Sequence, residues 1–502
     1  MDDVVQGPGW ADHRTDPILG LFPLAVEQYL NAAVAINAPG VTTVTTTARY
    51  YALHALIADE ARRRDLDAGD ARELLRRVEV VYALTCMAHR GQDGHDASWP
   101  APHGEDRLRA ALGSGPINLA VATGRDKGRY SNASWGFLGA YRGAEMTLAI
   151  LDTAGFAPGP AFDASTVRNE LGEIVTLAQT AEHVSLEDVA HLGSACLCQA
   201  HVSTDGEWLA RQFAGRPGDS DTVASVLGQT MQMIAAAVTT TEVRDLNDLG
   251  SFVMYDPTML DHPHARTGEV WRRWRGLRQR AESVEAWRYL WTHMCDHLPE
   301  QGAMTPDQLG AALADQLPAQ SVRHYLAGLP PVADATGAPL PAESASSVAD
   351  RDEVDRCIAT LMLGAERHAV LAPNTPERLG FEGPPGHRLT VEELSPHWVA
   401  STIERWADHS MQDLAVHLAN VMVNRAHRVT MKKSYFRRSD LRYVMPVRIV
   451  LQDGVVFRVY DETPRPPSLR WAPLLSMGRQ TGLFARNGDG RWELGARGSF
   501  LD

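Results

Sequence analysis

The residues with the clearest chemical potential are a run of cations near the C-terminus. Between residues 424 and 448 the segment NRAHRVTMKKSYFRRSDLRYVMPVR holds eight Lys and Arg residues and one acid, Asp440, although the whole chain has a formal net charge of −14. Lys and Arg gathered in this way can neutralise phosphates. The neighbouring Tyr435, Phe436 and Tyr443 can pack against a sugar or a base. The segment therefore predicts a surface that binds nucleic acid or an acidic partner.

Within this segment, seven residues are predicted to contact phosphates without reading bases. They are Arg425, Arg428, Lys432, Lys433, Arg437, Arg438 and Arg442. The alternative is a solvated helix end, where cations interact favourably with the negative end of the helix dipole. That alternative accounts for three or four of the charges more readily than for eight.

A second group of residues could in principle hold a metal. Zinc prefers tetrahedral Cys and His ligands, and HLGSACLCQAH contains His191, Cys196, Cys198 and His201. On a helix, however, the two sulfurs of Cys-x-Cys point about 200° apart, which is a poor arrangement for chelation. We therefore predict a core helix here, with no metal and no cofactor. The pair at 293 and 297 shares a helix face but lacks a third ligand at helical spacing.

A second cationic and aromatic run, VWRRWRGLRQRAESVEAWRYLW, covers residues 270–291. Its tryptophans follow helical spacing, which favours a core helix with Arg stems covering the rim. Phosphate-binding loops, nucleophile elbows, zinc-protease pairs and deaminase signatures are missing from the sequence. We therefore assign no catalytic residue and favour a non-enzymatic role. Two alternatives stay open: a metal-dependent nuclease or other hydrolase with a site assembled from scattered residues, and a scaffold that binds only protein.

The elements that would position these residues are mainly helical. Capping patterns predict helix starts at Asp70 with Glu73, Ser185 with Asp188, Thr305 with Gln308 and Thr390 with Glu393. Residues 354–371 and 411–424 have an apolar face at helical spacing. The cationic segment follows the second of these amphipathic helices.

Strand signals are concentrated near the C-terminus. Asp453-Gly454 lies between two β-rich runs and predicts a hairpin. A second turn, 487–490, separates Phe484 from Trp492. A short helix followed by two strands is the order found at the end of a winged helix. The predicted fold is therefore mainly α, with several helical subdomains and a C-terminal α+β module of winged-helix type.

The bulk composition is that of a globular protein. The 502 residues predict about two to four domains, which we place at 1–215, 222–329 and 351–502, with a Pro-, Ala- and Ser-rich linker at 330–350. Five scattered cysteines do not suggest a disulfide framework. The first residues show no basic region followed by an apolar region, and no run of about 18 apolar residues occurs, so we expect neither a secretory signal nor a transmembrane helix. We expect a cytoplasmic protein without a membrane segment.

Several motifs together resemble a loosely defined group of uncharacterised bacterial proteins. The motifs are LFPLAVEQYL…GVTTVTTTARYYALHALI, SACLCQAHVSTDGEWLARQFAG, the Trp-rich run at 270–291, the cationic segment and the terminal hairpin. Members of that group often occur beside helicases and nucleases in phage-defence gene clusters. The resemblance implies a helical, DNA-associated accessory subunit of antiviral defence, and implies no catalytic residue. The expected partners are nucleic acid, with DNA favoured over RNA, and other proteins.

Overall fold

The protein is mainly helical, as the sequence predicts. The computed structural model describes residues 15–502 apart from 93, 96–97, 114, 125–129, 216–222, 334–336, 338–350, 384–392 and 464. Thr390 and most of the predicted linker lie outside the described residues.

The described helices and strands follow one another along the chain in a fixed order. They are β1 (Thr15–Leu19), α1 (Gln28–Asn37), α2 (Arg49–Arg63), α3 (Ala68–His89), α4 (Glu105–Leu112), β2 (Ile117–Asn118), α5 (Leu119–Thr123), α6 (Leu138–Thr147), α7 (Ala164–Thr180), β3 (His183–Val184), α8 (Thr204–Ala214), α9 (Val223–Thr240), α10 (Leu246–Tyr255), α11 (Pro257–Asp261), α12 (Pro263–Thr267), α13 (Glu269–His297), α14 (Pro306–Ala314), α15 (Val322–Ala327), α16 (Glu353–Val370), α17 (Pro376–Glu382), α18 (Pro396–Trp406), α19 (Met411–Lys433), β4 (Tyr435–Arg437), β5 (Arg442–Val447), β6 (Ile449–Gln452), β7 (Val455–Arg458), α20 (Trp471–Thr481), β8 (Phe484–Arg486) and β9 (Trp492–Leu494). Within the described part of the chain, three 3₁₀ helices cover Ala190–Ala195, Leu197–Gln199 and Gly498–Leu501.

The chain divides into two compact units, each built from two separate stretches. Unit 1 comprises Met1–Ala33 and Val253–Leu469, and unit 2 comprises Val34–Phe252 and Arg470–Asp502. This division differs from the predicted boundaries near residues 215 and 330. It also divides the predicted C-terminal module, since α20, β8 and β9 belong to unit 2. The sequence signals for boundaries mark local breaks, whereas these units depend on contacts between distant stretches.

Unit 1 is built around α13, the longest of its described helices. Trp271, Trp274, Trp287 and Trp291 are all buried, so the prediction that this run is a core helix is confirmed. A close crossing with α17 depends on glycine. A Cβ at Gly276 would lie 1.9 Å from the Glu377 carbonyl oxygen, a distance that real contacts do not reach. The core of unit 1 is therefore fixed by aromatic burial on α13 and by close backbone contact at this crossing.

A small sheet in unit 1 joins the first of its two stretches to the second. Strand β5 pairs in parallel with β1, with Thr15 opposite Tyr443, and antiparallel with β4. The next two strands form the predicted hairpin: β6 and β7 pair across Asp453 and Gly454, which both have positive φ. Positive φ at both central residues matches the right-handed twist of hairpin strands and favours Asp-Gly.

Unit 2 packs its helices around α2. Twelve of the fifteen residues of α2 are buried, which places it at the centre of the unit, in contact with α3, α7 and α8. Strands β8 and β9 pair around the predicted turn at 487–490. Helix α9 has a length and a hydropathy that would also suit a membrane span, but half of the window concerned is buried within the structure.

The predicted helix start at Thr305 is confirmed, and the one at Asp70 is wrong. Thr305 and Gln308 form the predicted capping box of α14. The predicted start of α3 at Asp70 is wrong, because the Asp67 side chain accepts hydrogen bonds from the amides of Gly69 and Asp70 and the helix begins at Ala68. Asp67, three residues upstream of Asp70, is the N-cap, because its carboxylate accepts from the first free amides of the helix. Both predicted amphipathic helices are present, as α16 and α19.

Candidate functional site

The cationic segment begins on α19. Arg425, the first of the residues predicted to contact phosphate, points into the protein. Arg425 is only 3% exposed. Its guanidinium donates to the backbone carbonyls of Leu24 and Glu393, and burial lowers its pKa. Arg425 therefore holds the chain around residue 24 against α19 and does not face a ligand in this conformation.

Three further cations of the segment have partners within unit 1. Arg428 forms an ion pair with Glu393. The ammonium of Lys433 donates to the carbonyls of Leu21 and Phe22, at 2.7 and 3.0 Å. Arg437 binds both Asp440 and Asp16, and these hydrogen bonds raise its pKa. Much of the local positive charge is thus used to attach neighbouring segments to one another.

The exposed residues of this region lie on the β4–β5 hairpin and at the end of α19, and we call them the hairpin surface. It consists of Lys432, Tyr435, Phe436, Arg438, Leu441 and Arg442, all of which are exposed. Tyr435 and Phe436 lie next to each other on the edge strand β4, and their exposed fractions are 50% and 47%. The structure therefore presents a small aromatic and cationic surface rather than a broad basic face.

A different group of side chains converges in unit 2. His89 is the last residue of α3, His95 follows six residues later, and Cys196 and Cys198 lie near the 3₁₀ helices before α8. We call these four residues the His–Cys cluster. One potential ligand atom from each lies within 4.8 Å of all the others. The Cys198 sulfur is 3.3 Å from Nδ1 of His89 and 3.5 Å from Nδ1 of His95.

The backbone around the two cysteines explains why they can face the same point. Cys196 separates the two 3₁₀ helices and is extended, with φ −62° and ψ 149°. The prediction that Cys196 and Cys198 lie on one continuous helix is therefore wrong, and the reason for excluding chelation no longer holds. Leu192, Ala195 and Leu197 are buried as in a core helix, yet the segment forms two short 3₁₀ helices separated by the extended Cys196.

The predicted companions of the cysteines are not part of this group. His191 is exposed and pairs with Glu173 at 2.7 Å. His201 binds the Cys198 carbonyl oxygen through Nδ1 and stacks on Trp99. The actual companions, His89 and His95, are about a hundred residues away in sequence. No spacing rule links such distant pairs, although each pair has ligand types suited to zinc.

Buried and polar contacts fix the two segments that carry the cluster. Arg49 on α2 forms a bidentate pair with Asp205, both contacts at 2.8 Å, and donates to the carbonyls of Ser194 and Cys196. Arg49 and Asp205 are fully buried. Since a buried charge is costly unless it is paired, this contact holds the 194–205 turn rigidly against α2.

The loop that carries His95 is attached to the cysteine segment by two glutamines. The Gln92 side chain donates to the Ala190 carbonyl, and the Gln199 amide donates to the Gly94 carbonyl. Gln199 also donates to the Cys198 sulfur at 3.4 Å. Gly193 leaves room for the imidazole of His89, because a Cβ there would lie 2.8 Å from its Cδ2. The cluster is therefore supported by side chains from both segments.

Unit 2 contains a second buried polar group that the sequence did not indicate. His54 lies between two carboxylates, with Nδ1 2.7 Å from Glu145 and Nε2 3.2 Å from Glu79. Burial lowers the pKa of His54, but the two carboxylates outweigh this effect and raise it to about 9. Burial raises the pKa of Glu145. Glu79 in turn accepts from the Tyr130 hydroxyl and the Phe137 amide, so this group holds several helices and a loop together.

Comparison with family models, with curated proteins and with solved structures finds no match to this chain. Its function must therefore be argued from the arrangement of its own residues.

Proposed function

We propose that the protein is a non-enzymatic subunit that binds single-stranded nucleic acid through the hairpin surface. The observation that carries this proposal is the pair Tyr435 and Phe436, about half exposed on the edge strand β4 and flanked by exposed cations. Consecutive residues of a strand point to opposite faces, so the edge strand β4 offers one exposed ring on each face of the sheet. Bases stack on such rings with a gain of roughly 1–3 kcal/mol each, whatever their sequence.

The charges around the rings suit a phosphate backbone. Lys432, Arg438 and Arg442 are exposed, and Arg442 approaches an acid, Asp440, only to 3.9 Å. Asp440 is already held by Arg437, whose hydrogen bonds lower the pKa of that carboxylate. We therefore assign about three phosphate contacts to this surface, fewer than the seven predicted from the sequence.

A single strand fits this surface better than a duplex. Stacking requires the flat face of a base, and a duplex covers those faces by its own base pairs. The side chains around the rings are cations rather than paired amides, so we expect little sequence preference. DNA stays favoured over RNA by the resemblance in sequence alone.

Fluorescence anisotropy with a labelled oligothymidylate tests the proposal. Log K should fall with log salt at a slope of about −2, because each phosphate contact on a single strand contributes roughly −0.7. Tyr435→Ala/Phe436→Ala should weaken binding by about tenfold or more, and Lys432→Glu/Arg438→Glu should weaken it and reduce the slope.

The matched control reverses two exposed cations elsewhere, Arg63→Glu/Arg64→Glu at the end of α2. It should keep the affinity of the unaltered protein. A flat salt response, or equal losses in the control and in the hairpin variants, would refute the proposal. Binding of a protein partner with no affinity for the oligonucleotide would instead favour the scaffold alternative, for which the open edge of β4 offers a pairing site.

The wider role that we propose is that of an accessory subunit to a nucleic-acid-acting enzyme, which rests on the resemblance to proteins of phage-defence clusters. A winged-helix reading of α20, β8 and β9 is part of the same proposal, because their order is that of a helix followed by a wing. Cleavage of the oligonucleotide by the pure chain with Mg²⁺ would favour the nuclease alternative.

A further inference from the structure

We propose that the His–Cys cluster is a zinc site, with His89, His95, Cys196 and Cys198 as its four ligands. This inference is independent of the hairpin surface and concerns unit 2 alone. The four side chains supply two nitrogens and two sulfurs, one of the ligand sets that structural zinc sites use. Three of them are buried and His95 is partly exposed, which leaves a path by which the ion can enter.

The distances suit a single tetrahedral ion. With Zn–S near 2.3 Å and Zn–N near 2.0–2.1 Å, the edges of a tetrahedron of this composition are about 3.4 to 3.8 Å. The two distances from the Cys198 sulfur to the imidazole nitrogens, 3.3 and 3.5 Å, already have this length. The remaining separations, at most 4.8 Å, exceed these edges by no more than about 1.0 to 1.4 Å.

Ordinary hydrogen bonding explains the arrangement less well. A thiol has a single proton and its sulfur is a weak acceptor, so Cys198 can donate to one imidazole and accept only a weak hydrogen bond from the other. The rings of His89 and His95 are nearly perpendicular, at 87°, with centroids 5.5 Å apart. Two imidazoles that direct the same nitrogen, Nδ1, at one sulfur from perpendicular planes are positioned as they would be around a shared ion.

The way in which Cys and His ligands are mixed distinguishes a single ion from a two-iron centre. Two-iron centres with two Cys and two His place the cysteines on one iron and the histidines on the other. Here the Cys198 sulfur contacts both histidines at 3.5 Å or less, so cysteine and histidine ligands are not segregated. Zinc is therefore the ion that best matches both the ligand types and their spacing.

The surrounding contacts resemble the outer shell of a metal site. An amide of Gln199 donates to the Cys198 sulfur. The guanidinium of Arg49 donates to the Cys196 carbonyl at 2.6 Å and so fixes the backbone that carries this ligand. Outer groups of this kind orient the ligands and tune the affinity for the ion.

Four protein ligands leave no open position for water or substrate, so the site is of the structural kind. The ion would join the end of α3 and the His95 loop to the turn that precedes α8. We therefore assign the zinc a stabilising role in unit 2, and we route no catalytic step through it.

The experiment is zinc quantification on the full-length chain after reconstitution with Zn²⁺ and removal of excess ion. We expect about one zinc per chain, with an apparent Kd in the nanomolar range or tighter by competition with a chromophoric chelator. Cys196→Ser/Cys198→Ser should retain less than about a tenth of that zinc. His95→Ala, on a partly exposed loop and thus expected to fold, should weaken zinc affinity by about a hundredfold or more.

The matched control is Cys86→Ser, which removes the buried thiol next to Cys196 but none of the four proposed ligands. It should keep one zinc per chain. Less than about a tenth of a zinc per chain in the reconstituted unaltered protein would overturn the proposal. Full zinc retention by His95→Ala and by the double cysteine variant would overturn it as well, because the ion would then be bound elsewhere.

Discussion

The cationic segment and the His–Cys cluster use their side chains in opposite ways. Residues 425–442 are adjacent in sequence, yet the structure turns Arg425 inward, attaches Lys433 to backbone carbonyls and pairs Arg437 with acids. His89 and Cys198 are far apart in sequence, yet their ligand atoms lie 3.3 Å from each other. Density of charge along a sequence is thus a poor guide to a shared surface, because a helix distributes consecutive side chains around its axis.

The largest expected difference in stability between the two regions concerns Arg49, which supports the His–Cys cluster. Arg49→Ala should lower the free energy of unfolding by about 3–5 kcal/mol, because it leaves Asp205 buried without a partner. Arg428→Ala, in the exposed pair with Glu393, should cost less than about 1 kcal/mol. Urea denaturation followed by circular dichroism measures both. Equal losses would show that the two regions do not differ in how their charges are used.

The next effect is a pH dependence that belongs to unit 2. His54 has a folded pKa of about 9 against roughly 6.5 in the unfolded chain. The stability that this raised pKa contributes is fully present below pH 6.5 and is lost as the pH rises to 9. Between these values the folded state holds a proton that the unfolded state has released, so a rising pH favours unfolding. We expect a fall on the order of 3 kcal/mol across this range.

The control for this pH dependence compares a buried histidine with an exposed one. His54→Gln should flatten the decrease in unfolding free energy between pH 6.5 and 9. His191→Gln, which removes an exposed pair with Glu173, should leave the decrease in place. If both variants keep the slope of the unaltered protein, the buried contact with Glu145 and Glu79 is not its source.

The smallest effects separate the residues of the cationic segment from one another. Arg425→Ala should cost about 1–3 kcal/mol of stability, because the buried Leu24 carbonyl and the partly buried Glu393 carbonyl lose their donor. The affinity for the oligonucleotide should stay unchanged. Arg438→Ala should change stability by no more than about 0.5 kcal/mol but weaken binding. Urea denaturation and fluorescence anisotropy on both variants check these opposite expectations for stability and binding. A loss of binding in Arg425→Ala at full stability would mean that Arg425 reaches the ligand.

Local chemistry accounts for the parts of the fold that the sequence could predict. The capping box at Thr305, the amphipathic helices α16 and α19 and the hairpin at Asp453 are each set by residues within one element. The parallel pairing of β1 with β5 joins residues more than four hundred positions apart. No local pattern encodes such a pairing. The two units are built from separate stretches of chain for the same reason, since they too depend on contacts between residues that are distant in sequence.

The candidate sites divide in the same way. The aromatic and cationic character of the hairpin surface could be predicted, because Tyr435, Phe436 and Arg438 are neighbours in sequence. The His–Cys cluster could not, since its two halves meet only after α3 and the turn before α8 have packed together. The extended backbone of Cys196 was the decisive local feature, and a buried apolar context concealed it.

X-ray absorption at the zinc K-edge of the reconstituted protein tests the central claim most directly. A site formed by His89, His95, Cys196 and Cys198 predicts a first shell of two sulfurs at about 2.3 Å and two nitrogens at about 2.0–2.1 Å. A shell made only of oxygen and nitrogen, as for zinc held at surface carboxylates and histidines, would contradict it.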